Sequence, residues 1–177
     1  NNDFIGKLNL DDILKKKKII KKINSEIKIN YKSKKFFSSF IESYSSNLNI
    51  AYGRLDFTNK ILFAGAEINC RGDSILIDQY PRLNFVCLFI LKDKKILSKK
   101  LSIPNLNFNT LNINIDGSVN LISKKINFNK INIEDKYLAN KEDMKYFKDI
   151  FEKNLLDDGF FQIFNKSKIN KLLLEII

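Results

Sequence analysis

Histidine and tryptophan are absent from this 177-residue chain; methionine occurs once, proline and cysteine twice each, and glycine six times. Each shortage removes a class of chemistry. Without histidine there is no imidazole base and no Ser-His or Cys-His pair for nucleophilic catalysis. Two cysteines without histidine fall short of a zinc ligand set, so no metal is expected. Neither GxxxxGK[ST] nor GxGxxG occurs, so no phosphate-cradling loop is signalled. No apolar run reaches about 18 residues, so no transmembrane helix is expected within this stretch. The paired acids Asp11-Asp12, Glu134-Asp135 and Asp157-Asp158 read as turn and helix-start residues rather than catalytic pairs. The sequence names no reaction; no enzymatic activity and no cofactor are expected.

What is present is a biased alphabet. Lysine, isoleucine and asparagine supply 28, 27 and 23 residues, and all three have A/T-rich codons. The net charge of +11 therefore reflects composition first. Only Arg54, Arg71 and Arg82 offer the planar guanidinium that reads bases and phosphates in pairs, so nucleic acid is a weak expectation. The charge is nevertheless uneven. Between Ile13 and Lys35 lie ten lysines and one acid, Glu26. Lys15, Lys16, Lys17, Lys18, Lys21 and Lys22 are candidates to meet an anionic surface, either lipid headgroups or phosphates. The plainer reading is a solvated lysine-rich face.

Apolar residues make up 44% of the chain, enough for a core and too many for a disordered tail. From Leu48 to Ile133 they recur with a period near two. Leu55 and Phe57, Ile61 and Phe63, Leu83, Phe85, Cys87 and Phe89, Ile113 and Ile115, Val119 and Leu121, Ile126 and Phe128 all alternate with polar neighbours. Side chains two apart on a strand share a face, so these are half-buried strands with one apolar face. Thr58-Asn59, Arg71-Gly72-Asp73, Asp116-Gly117 and Ser123-Lys124 are the expected turns, and Tyr80-Pro81 an expected strand start. Gly53-Arg54-Leu55-Asp56-Phe57 matches Gly117-Ser118-Val119-Asn120-Leu121, and Ile61-Leu62-Phe63 matches Ile126-Asn127-Phe128. This suggests Gly-led hairpin repeats, with Gly6 to Leu10 a further start; such hairpins bury their apolar face only by stacking or curling. Chance similarity in so biased a composition is the alternative.

A helical period appears elsewhere. Phe36, Phe37, Phe40, Ile41 and Tyr44 form one stripe behind Ser33, which predicts a helix over 33–45. Asn140 with Asp143 predicts a capped helix burying Met144, Phe147, Phe151 and Leu155, and Ser167 opens a last helix. Residues 11–23 fit a helix or a strand, and 93–101 a short helical turn. The expected class is α+β: a basic segment with one amphipathic helix (1–47), antiparallel Gly-led hairpins forming a curved sheet or groove (48–135), and a C-terminal helical pair (136–177). Cys70 and Cys87, 17 apart, are able to face each other across two antiparallel strands as a disulfide; free buried thiols are the other reading.

The Gly-led hairpins, the stretch Asp116 to Leu121 followed by Lys124 to Phe128, and the closing segment from Asn140 to Ile177 resemble the C-terminal part of AsmA-like bacterial envelope proteins. They resemble in particular the versions found in A/T-rich alphaproteobacteria. The resemblance covers residues 48–177 and carries no individual site residue. It implies a periplasmic protein anchored in the inner membrane by a helix upstream of Asn1. It further implies stacked β-repeats with an apolar interior, and a part in phospholipid transport or outer-membrane maintenance. The residues expected to face acyl chains are Leu55, Phe57, Phe63, Leu83, Phe85, Phe89, Val119, Leu121 and Phe128. The alternatives are a basic module binding nucleic acid or an acidic partner through residues 13–35, and a purely structural interaction domain.

Overall fold

The computed structural model describes residues 14, 16–33, 41–101, 111–153 and 167. A short helix α1 (Lys17–Ile20) precedes five strands: β1 (Asn24–Lys32), β2 (Ile41–Ala51), β3 (Arg54–Phe63), β4 (Ala66–Ile75) and β5 (Arg82–Leu91). Helix α2 (Lys94–Leu101) follows, then β6 (Leu111–Asn120), β7 (Ile126–Ile133), the two-residue β8 (Tyr137–Leu138) and helix α3 (Lys141–Phe151). The strands form one open antiparallel sheet in chain order, β1 to β8. The architecture of the described residues is mainly β, with three short helices. No helix among the described residues is long and apolar enough to cross a membrane.

Alternation writes the two faces of this sheet. The register aligns Leu55, Ser74, Leu83, Val119 and Ile126 in one row across β3 to β7, and Phe57, Gly72, Phe85, Gly117 and Phe128 in the next. Further rows carry Ile61, Ile68, Phe89, Ile113 and Ile133, then Phe63, Ala66, Leu91 and Leu111. The opposite face presents mostly Asn, Ser, Lys, Arg and Asp. In the Phe57–Phe128 row rings and glycines alternate. A Cβ on Gly117 would sit 2.6 Å from the Asn127 carbonyl oxygen and 2.9 Å from Phe85 Cζ. The rings thus lie over bare backbone, a device that lets a sheet coil without a gap beneath the aromatics. The β6–β7 ladder shifts register between Asp116 and Gly117, at the same place.

The hairpin turns lie elsewhere than expected. Tyr52-Gly53 (φ 49° and 87°) and Ala64-Gly65 (φ 47° and 80°) close β2–β3 and β3–β4 as two-residue turns with positive φ at both positions. That geometry twists with the strands, and glycine meets it without penalty. Thr58-Asn59, Arg71-Gly72-Asp73 and Asp116-Gly117 are interior to β3, β4 and β6, whose ladders run on through them. Arg71 and Asp73 lie on the polar face, and Gly72 takes the apolar slot between Phe57 and Phe85. Ser123-Lys124 does lie in the β6–β7 turn, and β5 starts just after Pro81.

The repeat therefore dissolves. Gly53 to Phe63 is a turn and one unbroken strand, whereas Gly117 to Phe128 spans a strand end, a turn and the next strand. The strands also begin earlier than residue 48. Residues 41–45, expected to be helical, are the start of β2, where Tyr44, Ser46, Leu48 and Ile50 alternate against Ile61, Asn59, Phe57 and Leu55. Ladder pairing on both sides overrides the helical spacing of Ile41 and Tyr44. Phe36, Phe37, Phe40, Gly6 to Leu10, Leu155, Asp157 to Gly159 and the last helix beyond Ser167 lie outside the described residues.

Two helices cover parts of the apolar face. Asn140 caps α3 as expected: its Oδ1 accepts from the backbone N–H of Glu142 (2.8 Å) and Asp143 (2.9 Å), and its own N–H donates to Asp143 Oδ2. Ile150, Met144, Phe147 and Phe151 pack on Val119, Ile126, Phe128 and Ile131. Phe151 meets Phe128 edge to face at 5.4 Å. Just past α3, the buried Glu152 carboxylate accepts from the Ile126 N–H (3.0 Å) and Lys125 Nζ (2.9 Å), locking the helix end to the start of β7. At the other end Asp93 caps α2, and Leu97 plugs a cluster of Phe63, Ala64, Ala66 and Leu91.

Candidate functional site

The nine residues expected to face acyl chains divide by location. Eight share the apolar face; Leu121 lies beyond the end of β6, buried, with its N–H donated to the Pro81 carbonyl. Phe63, Val119 and Phe128 are also buried, under α2 or α3. These four are core residues: Leu97 of α2 packs on Phe63, α3 packs on Val119 and Phe128, and Leu121 is buried at the β6–β7 turn. Leu55, Phe57, Leu83, Phe85 and Phe89 are half-buried. Of these, Phe85 and Phe89 lean on the two covered clusters. Leu55 and Phe57 continue into a part of the face outside these nine residues: Leu48 and Ile50 on β2, then Ile27, Ile29 and Tyr31 on β1. The signal was legible, since Ile27, Ile29 and Tyr31 alternate with Lys28 and Asn30, but lysine density hid it.

The middle of the face is crossed by one row of different character. Ile29, Ser46, Asn59, Cys70, Cys87 and Ile115 are successive partners. Cys70 and Cys87 stand directly opposite with Cα atoms 4.1 Å apart and are joined as a disulfide. Both thiols are thus consumed, and no free cysteine is present. Tyr44 Oη donates to Asn59 Oδ1 at 3.5 Å. The hydroxyls of Ser46 and Ser74 are buried on this face without a hydrogen-bond partner. A buried hydroxyl without a partner is destabilising by about 1–3 kcal/mol, so these are polar spots held at a disadvantage within apolar surroundings.

The polar face is organised by charge. Glu67 is buried between Lys60 (2.9 Å), Lys92 and Asn69 (2.9 Å). The hydrogen bonds from Lys92, then Asn69 and Lys60, hold its carboxyl down to about 2. A depression of about 500 Å³ beside it is lined by Ser45, Asn47, Thr58, Asn69, Arg71 and Leu88. No group of three or more His, Cys, Asp or Glu able to hold a metal ion occurs among the described residues.

Of the anionic-surface candidates, Lys16, Lys17, Lys18, Lys21 and Lys22 are exposed on and around α1; Lys15 lies outside the described residues. Lys17 Nζ donates to the Asp78 carbonyl at 2.8 Å, which sets α1 against the β4–β5 loop. No protein-family model, no curated protein and no solved structure matches the chain.

Proposed function

We propose that this chain is a non-enzymatic, lipid-associated part of a bacterial envelope protein, similar in kind to AsmA-like proteins, which contacts acyl chains along one face of its sheet. The observation that carries the reading is the apolar face of β1 to β3. Ile27, Ile29, Leu48, Ile50, Leu55 and Phe57 form a continuous apolar surface that is half-buried or exposed, beside a covered part of identical pattern. Contiguous exposed apolar surface of this kind suits an apolar ligand. The disulfide supports an oxidising compartment such as the periplasm. Phospholipid transport or outer-membrane maintenance, with an inner-membrane anchor upstream, is the role that fits this reading.

The test is lipid extraction from detergent-free protein. Wild type is expected to carry acyl lipid, and Phe57→Asp to lose it while keeping its β circular dichroism. Lipid-free wild type overturns the reading, as does undiminished lipid in the folded variant.

A further inference from the structure

Four segments that are separate in the chain meet at one end of the sheet. They are α1 with residues 21–23, the β2–β3 turn, the β4–β5 loop 76–81 and the β6–β7 turn 121–125. Hydrogen bonds join them in sequence. The Tyr52 N–H donates to the Ile23 carbonyl (3.2 Å), the Leu76 N–H to the Gly53 carbonyl (2.8 Å), and the Leu121 N–H to the Pro81 carbonyl (3.0 Å). Lys17 Nζ closes the link from α1 to the β4–β5 loop. The end is therefore one continuous surface.

Its composition is basic and aromatic. These segments carry six lysines (Lys17, Lys18, Lys21, Lys22, Lys124 and Lys125), of which Lys125 is paired with Glu152, and Asp78 is their one carboxylate. Arg54 and Arg82, the exposed first residues of β3 and β5, flank them. Among these cations stand large apolar and aromatic side chains in water: Tyr52 is 73% exposed, Tyr80 63%, Ile19 57% and Ile122 49%. Tyrosine ranks among the side chains most at home where one end of the ring is wet and the other apolar. Lysines around it bury their stems and lift their ammonium groups toward phosphate. Tyr52 holds φ 49° in a two-residue turn that favours asparagine, so backbone preference does not account for the ring at this position.

We propose that this end of the sheet docks on an anionic lipid bilayer, with Tyr52, Tyr80, Ile19 and Ile122 entering the headgroup layer and the lysines of α1 held by its phosphates. This deepens the lipid reading above by placing the end of the apolar face that carries Ile50 and Leu55 at a membrane surface, and it rests on that reading only for its purpose.

Flotation of the full chain with vesicles tests it. The chain is expected to float with vesicles containing about one third phosphatidylglycerol, not with phosphatidylcholine alone, and to be released by high salt. Replacing Lys16, Lys18, Lys21 and Lys22 by Gln is expected to weaken binding at least roughly tenfold. Tyr52→Asn with Tyr80→Ser is expected to weaken it severalfold without lowering Tm, because asparagine suits the turn. The proposal is overturned by no flotation, by equal flotation with neutral vesicles, or by either variant binding undiminished. It is also overturned if a short DNA duplex binds as tightly and is insensitive to the tyrosine changes, the mark of a polyanion site. Phe57→Asp separates the two readings: it is expected to float like wild type. Lipid that co-purifies without flotation sinks the docking surface alone; flotation without co-purified lipid sinks the acyl-chain reading alone.

Discussion

One apolar face runs the width of this sheet, and its two ends differ in what lies over them. At β7, Ile126, Phe128 and Ile131 are 6%, 7% and 4% exposed beneath α3. At β1, Ile27, Ile29 and Tyr31 are 41%, 42% and 51% exposed. The strands carry the same alternation at both ends. What differs is one capped helix with a stripe of Met144, Phe147, Ile150 and Phe151, fastened by Glu152. Alternation in sequence thus specifies a two-faced strand, while the fate of the face is decided by an element far along the chain.

The comparison is sharpest in a paired truncation. Phe128→Ala removes a buried ring facing Phe151 and is expected to lower stability by about 3–5 kcal/mol, whereas Ile27→Ser at the open end changes it by less than about 1 kcal/mol. Equal losses in chemical denaturation would break the distinction. Next in size is the disulfide between the two ends. Replacing Cys70 and Cys87 by Ser is expected to cost about 3 kcal/mol, and intact mass without reductant should be lighter by two hydrogens than after reduction. Gly117→Ala, where Phe85 and the Asn127 carbonyl leave no room for a methyl, should cost about 1–3 kcal/mol, with the change in hydrogen exchange confined to β5 to β7.

The smallest effect lies on the polar face. The Glu67 carboxyl is held at about 2, below its ordinary value of 4.5. A depressed folded-state pKa gives stability that is complete above about 4.5 and lost as pH falls toward 2. Both lysine partners are more than half exposed, so the contribution is on the order of 1 kcal/mol. Glu67→Gln should flatten the pH dependence of unfolding in that window and leave it unchanged near neutrality.

How far the fold was legible follows from the same physics. Leu55, Phe57, Ile113, Ile115, Ile126 and Phe128 announced their strands because a sheet solvated on one face needs period two. Asn140 and Asp143 announced α3 because capping is local. The turns were misplaced because Tyr52-Gly53 and Ala64-Gly65 lack the Asn or Asp that marks such turns, while polar triplets like Arg71-Gly72-Asp73 mimic turns within a strand. β2 was missed where Ser46 takes an apolar slot, an exchange only cross-strand neighbours reveal. The apolar face was legible as a face. That Phe63, Val119 and Phe128 are sealed was not, since sealing depends on helices docking from a distance. The basic end was visible only in part: the α1 lysines are contiguous, but Tyr52, Tyr80 and Ile122 join them through topology alone.

The central claim is that the β1–β3 part of the apolar face is open to lipid and the β6–β7 part is closed. Photo-crosslinking tests it directly, with a photoreactive residue at Leu48 in one variant and at Ile131 in another, each exposed to phospholipid vesicles and read by mass spectrometry. Lipid adducts at 48 and none at 131 are the predicted result. Adducts at both positions, or at neither, would contradict the account.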